Sequence, residues 1–224
     1  MAEIKWDQTG EREYYTGVDK GVFYAMDETG EFKGGAEAWN GLISVTESPS
    51  GAEATALYAN NRKYGNLRSA EEFGGTIEAY MYPDGFDACN GVKKLSNGLK
   101  VGQQKRKAFG MAYRNLIGND VDGTNHGYEI HLVYNAEVTP SERAHSTVND
   151  SPEAETMSWE FTTTPVDMKD CDPTAHLSFK STDVDGDKLK ALEAKLFGSE
   201  SEEAYLPLPD EVAELLGTGE EAAG

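Results

Sequence analysis

Phe109 to Pro165, FGMAYRNLIGNDVDGTNHGYEIHLVYNAEVTPSERAHSTVNDSPEAETMSWEFTTTP, is the stretch whose reading decides the fold. Phe109, Met111 and Tyr113 recur at every second position, and after a turn cluster of Gly, Asn and Asp the same period returns at Tyr128, Ile130, Leu132 and Tyr134. A period of two is the mark of a half-buried strand. Met157, Trp159 and Phe161 then alternate with Ser158, Glu160 and Thr162. The expectation is two hairpin-linked strands, a long loop and a third strand. All three would share one apolar face and one wet polar face in an antiparallel sheet.

Upstream of this stretch, Arg12 to Met26 reads as a hairpin turning at Asp19-Lys20-Gly21, and Ala38 to Thr46 as a strand carrying Trp39, Leu42, Ile43 and Val45. Ala54 to Tyr58 is a candidate short strand. Ala59 to Phe73 is polar throughout and reads as a long loop, since Ser69 and Glu72 form a capping box with only Gly74-Gly75 behind it. Gly75 to Tyr82 alternates again, with Ile77, Ala79 and Met81 against Glu78, Tyr80 and Tyr82. Pro83 opens and Asn90-Gly91 closes a short predicted helix, and Asn97-Gly98 turns a small hairpin.

Downstream, His176 to Lys180 is a candidate edge strand. Asp183 to Gly198 places Leu189, Leu192 and Leu196 on one helical face behind N-terminal aspartates. Leu206 to Gly217 suggests an extended arm through Pro207 and Pro209 into a brief helix over Asp210 to Leu216, and the last residues read as disordered. The fold class expected is mainly β, a β-sandwich or barrel with a short flanking helix, a long loop and terminal arms. Residues 1–182 form the β-rich domain, 183–216 the C-terminal helix and arm, and 217–224 a disordered tail.

The formal net charge of −20 over 224 residues argues against gripping DNA, RNA or an anionic membrane by counterion release. No apolar run approaches the ~20 residues of a membrane-spanning helix, and the N-terminus MAEIKWDQTGERE lacks the regions of a signal peptide. Cys89 and Cys171 are far apart and read as free thiols. Against the acidic background stands one basic cluster: Lys93, Lys94, Lys100, Lys105, Arg106 and Lys107. It lacks interleaved aromatics, so an acidic protein surface, such as that of a second copy, suits it better than nucleic acid.

Catalytic and metal patterns are weak. Asp183, Asp185 and Asp187 do not complete a calcium loop, since Lys188 and Ala194 fall where Gly and the closing Glu belong. Helix capping explains that cluster, and a hairpin turn explains Asn119, Asp120 and Asp122. His126, His131, His145 and His176 match neither zinc pairs nor a nucleophile arrangement, and His131 reads as a solvated or interface residue. No cofactor or enzyme signature is present. Two readings stand: a self-assembling structural protein, and a monomeric β-sandwich module that recognises carbohydrate or protein, with calcium as a possible aid.

The chain resembles the major tail (tail tube) proteins of long-tailed bacteriophages of Gram-positive hosts. Four segments carry the resemblance: GLISVTESPSGAEATALYANNRKYGNL (Gly41 to Leu67), GGTIEAYMYPDGFDACNG (Gly74 to Gly91), the block Phe109 to Val166, and LPLPDEVAELL (Leu206 to Leu216). The resemblance implies a non-catalytic subunit that forms hexameric rings stacked into a tube for DNA ejection, in the tail of the virion after assembly in the host cytoplasm. Partners would be further copies of itself, tape measure and tail-end proteins, and DNA in transient passage, with no membrane. A long loop and terminal arms join subunits in such proteins. Asn61, Arg62, Lys63, Tyr64 and Arg68 are then the candidate ring-stacking loop, and Lys93, Lys94, Lys105, Arg106 and Lys107 the candidate inter-subunit cluster. Glu78, Glu129 and Glu160, on the polar faces of strands, become candidates for a DNA-repelling lumen wall.

Overall fold

The computed structural model describes residues 4–96, 98–148 and 150–217. The strands are β1 (Tyr14–Ala25), β2 (Ala36–Ala38), β3 (Leu42–Glu47), β4 (Ser50–Gly51), β5 (Ala54–Ala59), β6 (Arg62–Arg68), β7 (Glu71–Glu72), β8 (Gly74–Ala79), β9 (Lys93–Ser96), β10 (Leu99–Val101), β11 (Phe109–Asn119), β12 (Gly123–Val138), β13 (Met157–Thr163) and β14 (His176–Lys180). A 3-10 helix spans Asp84–Ala88, and the helices α1 (Gly186–Phe197) and α2 (Pro209–Leu216) follow the last strand.

One antiparallel sheet runs in the order β2-β1-β11-β12-β13-β8-β3, with β14 beside the middle of β12. Strand β12 changes partner at Asn135, taking β14 over Glu129 to Val133 and β13 over Ala136 to Val138. Asn135 sits at φ +47 there and donates its side-chain amide to Thr164 O. Asn tolerates that left-handed backbone better than most residues. Only Trp39, Asn40 and Gly41 separate β2 at one end of the sheet from β3 at the other. The sheet therefore curls over itself into a β-sandwich-like body.

Two cores result, one on each face of β11 and β12. Inside the curl lie Phe23, Trp39, Ile77, Phe86, Phe109, Met111, Tyr113, Val133, Met157, Trp159 and Phe161. Phe86, from the 3-10 helix, meets Trp39, Phe109 and Trp159 edge-on or tilted. Outside it, Val22, Tyr24, Ala112, Ile130, Leu132 and Tyr134 are covered by Leu192 and Leu196 of α1, Val212 of α2, and Phe32 and Leu206 from the connecting chain. The three helix leucines are buried as their spacing predicts, each contributing roughly 1.5–3 kcal/mol relative to exposure.

This corrects the expectation of one shared apolar face. The register sets Met111 opposite Val133 and Ala112 opposite Leu132. Phe109, Met111 and Tyr113 thus face the inner core, whereas Ile130, Leu132 and Tyr134 face the helices. Alternation is correctly read, but the sheet centre has no wet face because both sides are covered.

Three local readings also change. Tyr14–Ala25 is a single strand with bulges and not a hairpin: Asp19 is held in register by the Arg114 guanidinium at 2.7 and 2.6 Å, and the register shift that follows, at Lys20 and Gly21, leaves Gly21 buried against Trp39 and Leu42. The segment after Gly198 is no free arm: Leu206 is buried, and Tyr134 donates its hydroxyl to Pro207 O at 2.9 Å. Ala59 to Phe73 is not a loop. Strands β5 and β6 pair from Ala54 with Arg68 to Ala59 with Arg62, and β4 pairs with β7 below them. The helix after Pro83 forms as a single 3-10 segment, and the small hairpin closes between β9 and β10. Of the tail read as disordered, all but Gly217 lies outside the described residues.

Candidate assembly surfaces

The β5–β6 hairpin extends the β3–β8 pair away from the body. Its tip is Asn60-Asn61, with φ of 51° and 60°, the paired left-handed conformation of a type I′ turn whose twist suits a two-residue hairpin. About twelve residues separate Ser48 from the tip, so at ~3.3 Å per residue the arm reaches up to roughly 40 Å. Only Ala56 and Gly65 of the two strands are even half-buried. Leu57, Tyr58, Tyr64 and Leu67 are exposed, Tyr64 to 79%. Within residues 52–70, Arg62, Lys63 and Arg68 outnumber the single acid, Glu53. The structure therefore brings the ring-stacking candidates Asn61, Arg62, Lys63, Tyr64 and Arg68 together on one projection, as a hairpin.

The β9–β10 hairpin is a second projection, again basic, with Leu95, Leu99 and Val101 exposed. Lys100 anchors it, reaching buried Asp87 at 2.6 Å, and Arg106 lies against Cys89 O and Asn90 Oδ1 at 3.4 Å each. Lys93, Lys94, Lys105 and Lys107 are exposed. Burial pushes the Cys89 thiol up to about 12, so it remains a neutral part of the core below this hairpin.

The lumen candidates divide. Glu78 pairs laterally with Ser158 and Ser44, and Glu160 with Thr76, so Glu78 and Glu160 share the polar outer face of β3, β8 and β13 with Ser44, Thr46 and Thr76. Ser44 donates to Glu78 at 2.9 Å. Glu129 lies on the opposite side, half-buried, in line with His131 and Val133 along β12. Burial opposes its ionisation, but hydrogen bonds from Tyr15 and Ser178 and the nearby charge of Lys180 help to outweigh it and hold the carboxyl below its ordinary range.

Beside Glu129, three residues from three strands converge at the mouth of the inner core. His131 Nδ1 lies 3.2 Å from His176 Nε2 and 3.3 Å from Glu47 Oε1, and Tyr113 donates its hydroxyl to the same Glu47 oxygen at 2.6 Å. Tyr113 stacks on His131, and Phe73 stacks on His176 at a centroid distance of 4.5 Å. Burial lowers the pKa of both histidines. His131 is 7% exposed, which corrects its reading as a solvated residue. Its polar parity along β12 was legible. That β14 and the end of β3 bring His176 and Glu47 to it was not, since they lie 45 and 84 residues away.

The aspartates are engaged locally. Asp185 accepts from the backbone N–H of Asp187 and Lys188 as the cap of α1, and Asn119 accepts from Val121 and Asp122 in the β11–β12 turn.

A family model described as phage tail tube protein matches residues 1–212 of the chain. No curated protein matches it.

Proposed function

We propose, from the premise that this chain belongs to the phage tail tube protein family, that six copies close into a ring and that rings stack through the β5–β6 arm into a conduit for DNA ejection. Membership makes the protein a structural subunit of the virion tail, assembled in the host cytoplasm, with self-assembly into a tube together with other tail components. It speaks for a structural role and not for catalysis.

The observation that carries the stacking is the arm. Two strands alone are at best marginally stable in water, and apolar side chains clustered on a projection mark an interaction surface. A neighbouring subunit supplies what the arm lacks. Its basic tip suits an acidic surface, and the molecule, at −20 overall, offers one on the next copy. The β9–β10 cluster, with Lys93, Lys94, Lys105, Arg106 and Lys107, engages a neighbour in the same way. Glu78 and Glu160, on the polar face of β8 and β13, form part of the lumen wall, where like charge keeps DNA phosphates from sticking. Glu129, held by hydrogen bonds from Tyr15 and Ser178, serves the subunit instead. Tape measure and tail-end proteins occupy the tube's interior and ends.

Electron microscopy of the purified subunit tests this. Tubes or rings are expected from the intact chain. A variant with residues 52–70 replaced by a Gly-Ser connection should keep its circular dichroism and form none. Tubes without the arm, or a persistent monomer with it, would reject the proposal.

A further inference from the structure

We propose that Glu47, His131 and His176 bind a divalent transition metal ion of the zinc class, which clamps the root of the arm to the body. The three donor atoms lie within 4.8 Å of one another. Two of the separations, 3.2 Å and 3.3 Å, both from His131 Nδ1, are close to the ~3.3 Å edge of a tetrahedron built on metal bonds of about 2.0–2.1 Å. Two imidazole nitrogens and one carboxylate oxygen form a donor set that favours zinc, cobalt or nickel over calcium or magnesium, which take oxygen. A fourth position is left for water.

The chemistry of the trio supports an ion over a plain hydrogen-bonded chain. An imidazole ligates in its neutral form, through a nitrogen lone pair. Each neutral imidazole carries one proton. If His176 Nε2 donates to His131 Nδ1, that nitrogen presents no proton to Glu47 Oε1 only 3.3 Å away, and two lone pairs oppose each other. If His131 Nδ1 carries the proton, it must be divided between Glu47 and the lone pair of His176. A cation at the centre satisfies all three atoms at once. Glu47 lies within the trio, and Glu129 stands two residues before His131 on the same face of β12, so carboxylates outnumber cationic side chains at the point where a dication would sit. The Tyr113 hydroxyl on Glu47 supplies the outer hydrogen bond that orients a ligating carboxylate.

The place of the site gives it a consequence. Glu47 is the last residue of β3, immediately before the chain leaves for the arm, and Phe73, where the chain returns, stacks on His176. A bound ion would tie β3, β12 and β14 together at that point and fix the direction in which the arm leaves.

Calorimetric titration of the full chain, stripped of metal by dialysis, provides the test. One saturable Zn2+ site per chain is expected and none for Ca2+, and Co2+ should give the visible absorption of a four-coordinate N/O site. Glu47→Gln and His176→Gln, both at positions open to solvent on one side, should each abolish the site. Tyr113→Phe should weaken it about 10–100-fold. His126 and His145 also sit beside carboxylates, so a His126→Asn/His145→Asn variant should bind Zn2+ unchanged. No saturable uptake, uptake that survives His176→Gln, or uptake lost with His126 and His145 would each overturn the site. Should His176→Gln fail to fold, nitrogen-15 imidazole shifts of the unaltered chain decide: movement of His131 and His176 on adding Zn2+ supports the site, and unmoved signals reject it.

Discussion

Strands β11–β12 and β5–β6 are both antiparallel hairpins whose ladders are broken only by bulges, yet they are held by opposite means. Along β11 and β12 the residues from Met111 to Tyr113 and from Ile130 to Tyr134 are buried on both faces. Along β5 and β6 nearly every residue is exposed on both. Backbone hydrogen bonds exchange water partners for protein partners and contribute only about 0.5–1.5 kcal/mol each. Burial is therefore what separates the two hairpins: the first is an internal wall, and the second is a ladder whose packing must come from another molecule.

The largest effect should fall on the wall. Ile130→Ala empties space beneath α1 and is expected to cost about 2–5 kcal/mol in denaturant unfolding, while Tyr64→Ala on the arm should stay within ~0.5 kcal/mol. Equal losses would end the comparison. Tyr64→Ala should instead show itself in tube yield.

Next in size is the pair at the bulge of β1. Asp19→Asn removes the charge that Arg114 grips at 2.6 Å, and should cost about 1–2 kcal/mol, since Asp19 is partly exposed. Its hydrogen bonds from Arg114 hold the Asp19 carboxyl below its ordinary range. A depressed folded value means the pair stabilises above the unfolded pKa of about 3.9 and is lost as pH falls below it. The intact chain should thus lose more stability than the variant on acidification from pH 5 to pH 3. Asp185→Ala, which uncaps α1, should cost about 1 kcal/mol, read by the same unfolding curves. It weakens the outer wall of the second core and should leave the arm untouched.

How far the sequence reveals this division depends on where the packing partner is. Leu189, Leu192 and Leu196 announce α1 because its partner is the molecule's own sheet. Met157, Trp159 and Phe161 announce β13 for the same reason. The sides of β11 and β12 are not legible, because with both faces buried Phe109 and Ile130 look alike, and only the register at Met111–Val133 separates them. The arm leaves almost no apolar period, its partner being outside the chain: Ala54 to Tyr58 reads as a short strand, but nothing in the polar run from Ala59 marks the strand that returns beside it. Glu47, His131 and His176 carry no shared sign at all, for their proximity arises from the curl of the sheet.

The smallest effect concerns the Asn60-Asn61 turn, and it separates the two hairpins most sharply. Asn61 holds φ +60, a conformation that Gly adopts without steric cost and that Asn tolerates less well. Asn61→Gly should therefore favour the type I′ turn by a few tenths of a kcal/mol. If the arm is a ladder awaiting a partner, this gain stays local. Amide exchange from Leu57 to Gly65 should slow and the lag before tube growth shorten, because less ordering remains to be done on docking, while the global unfolding midpoint stays where it was. A shifted midpoint would mean that the arm unfolds together with the wall, and that its order already comes from within the subunit.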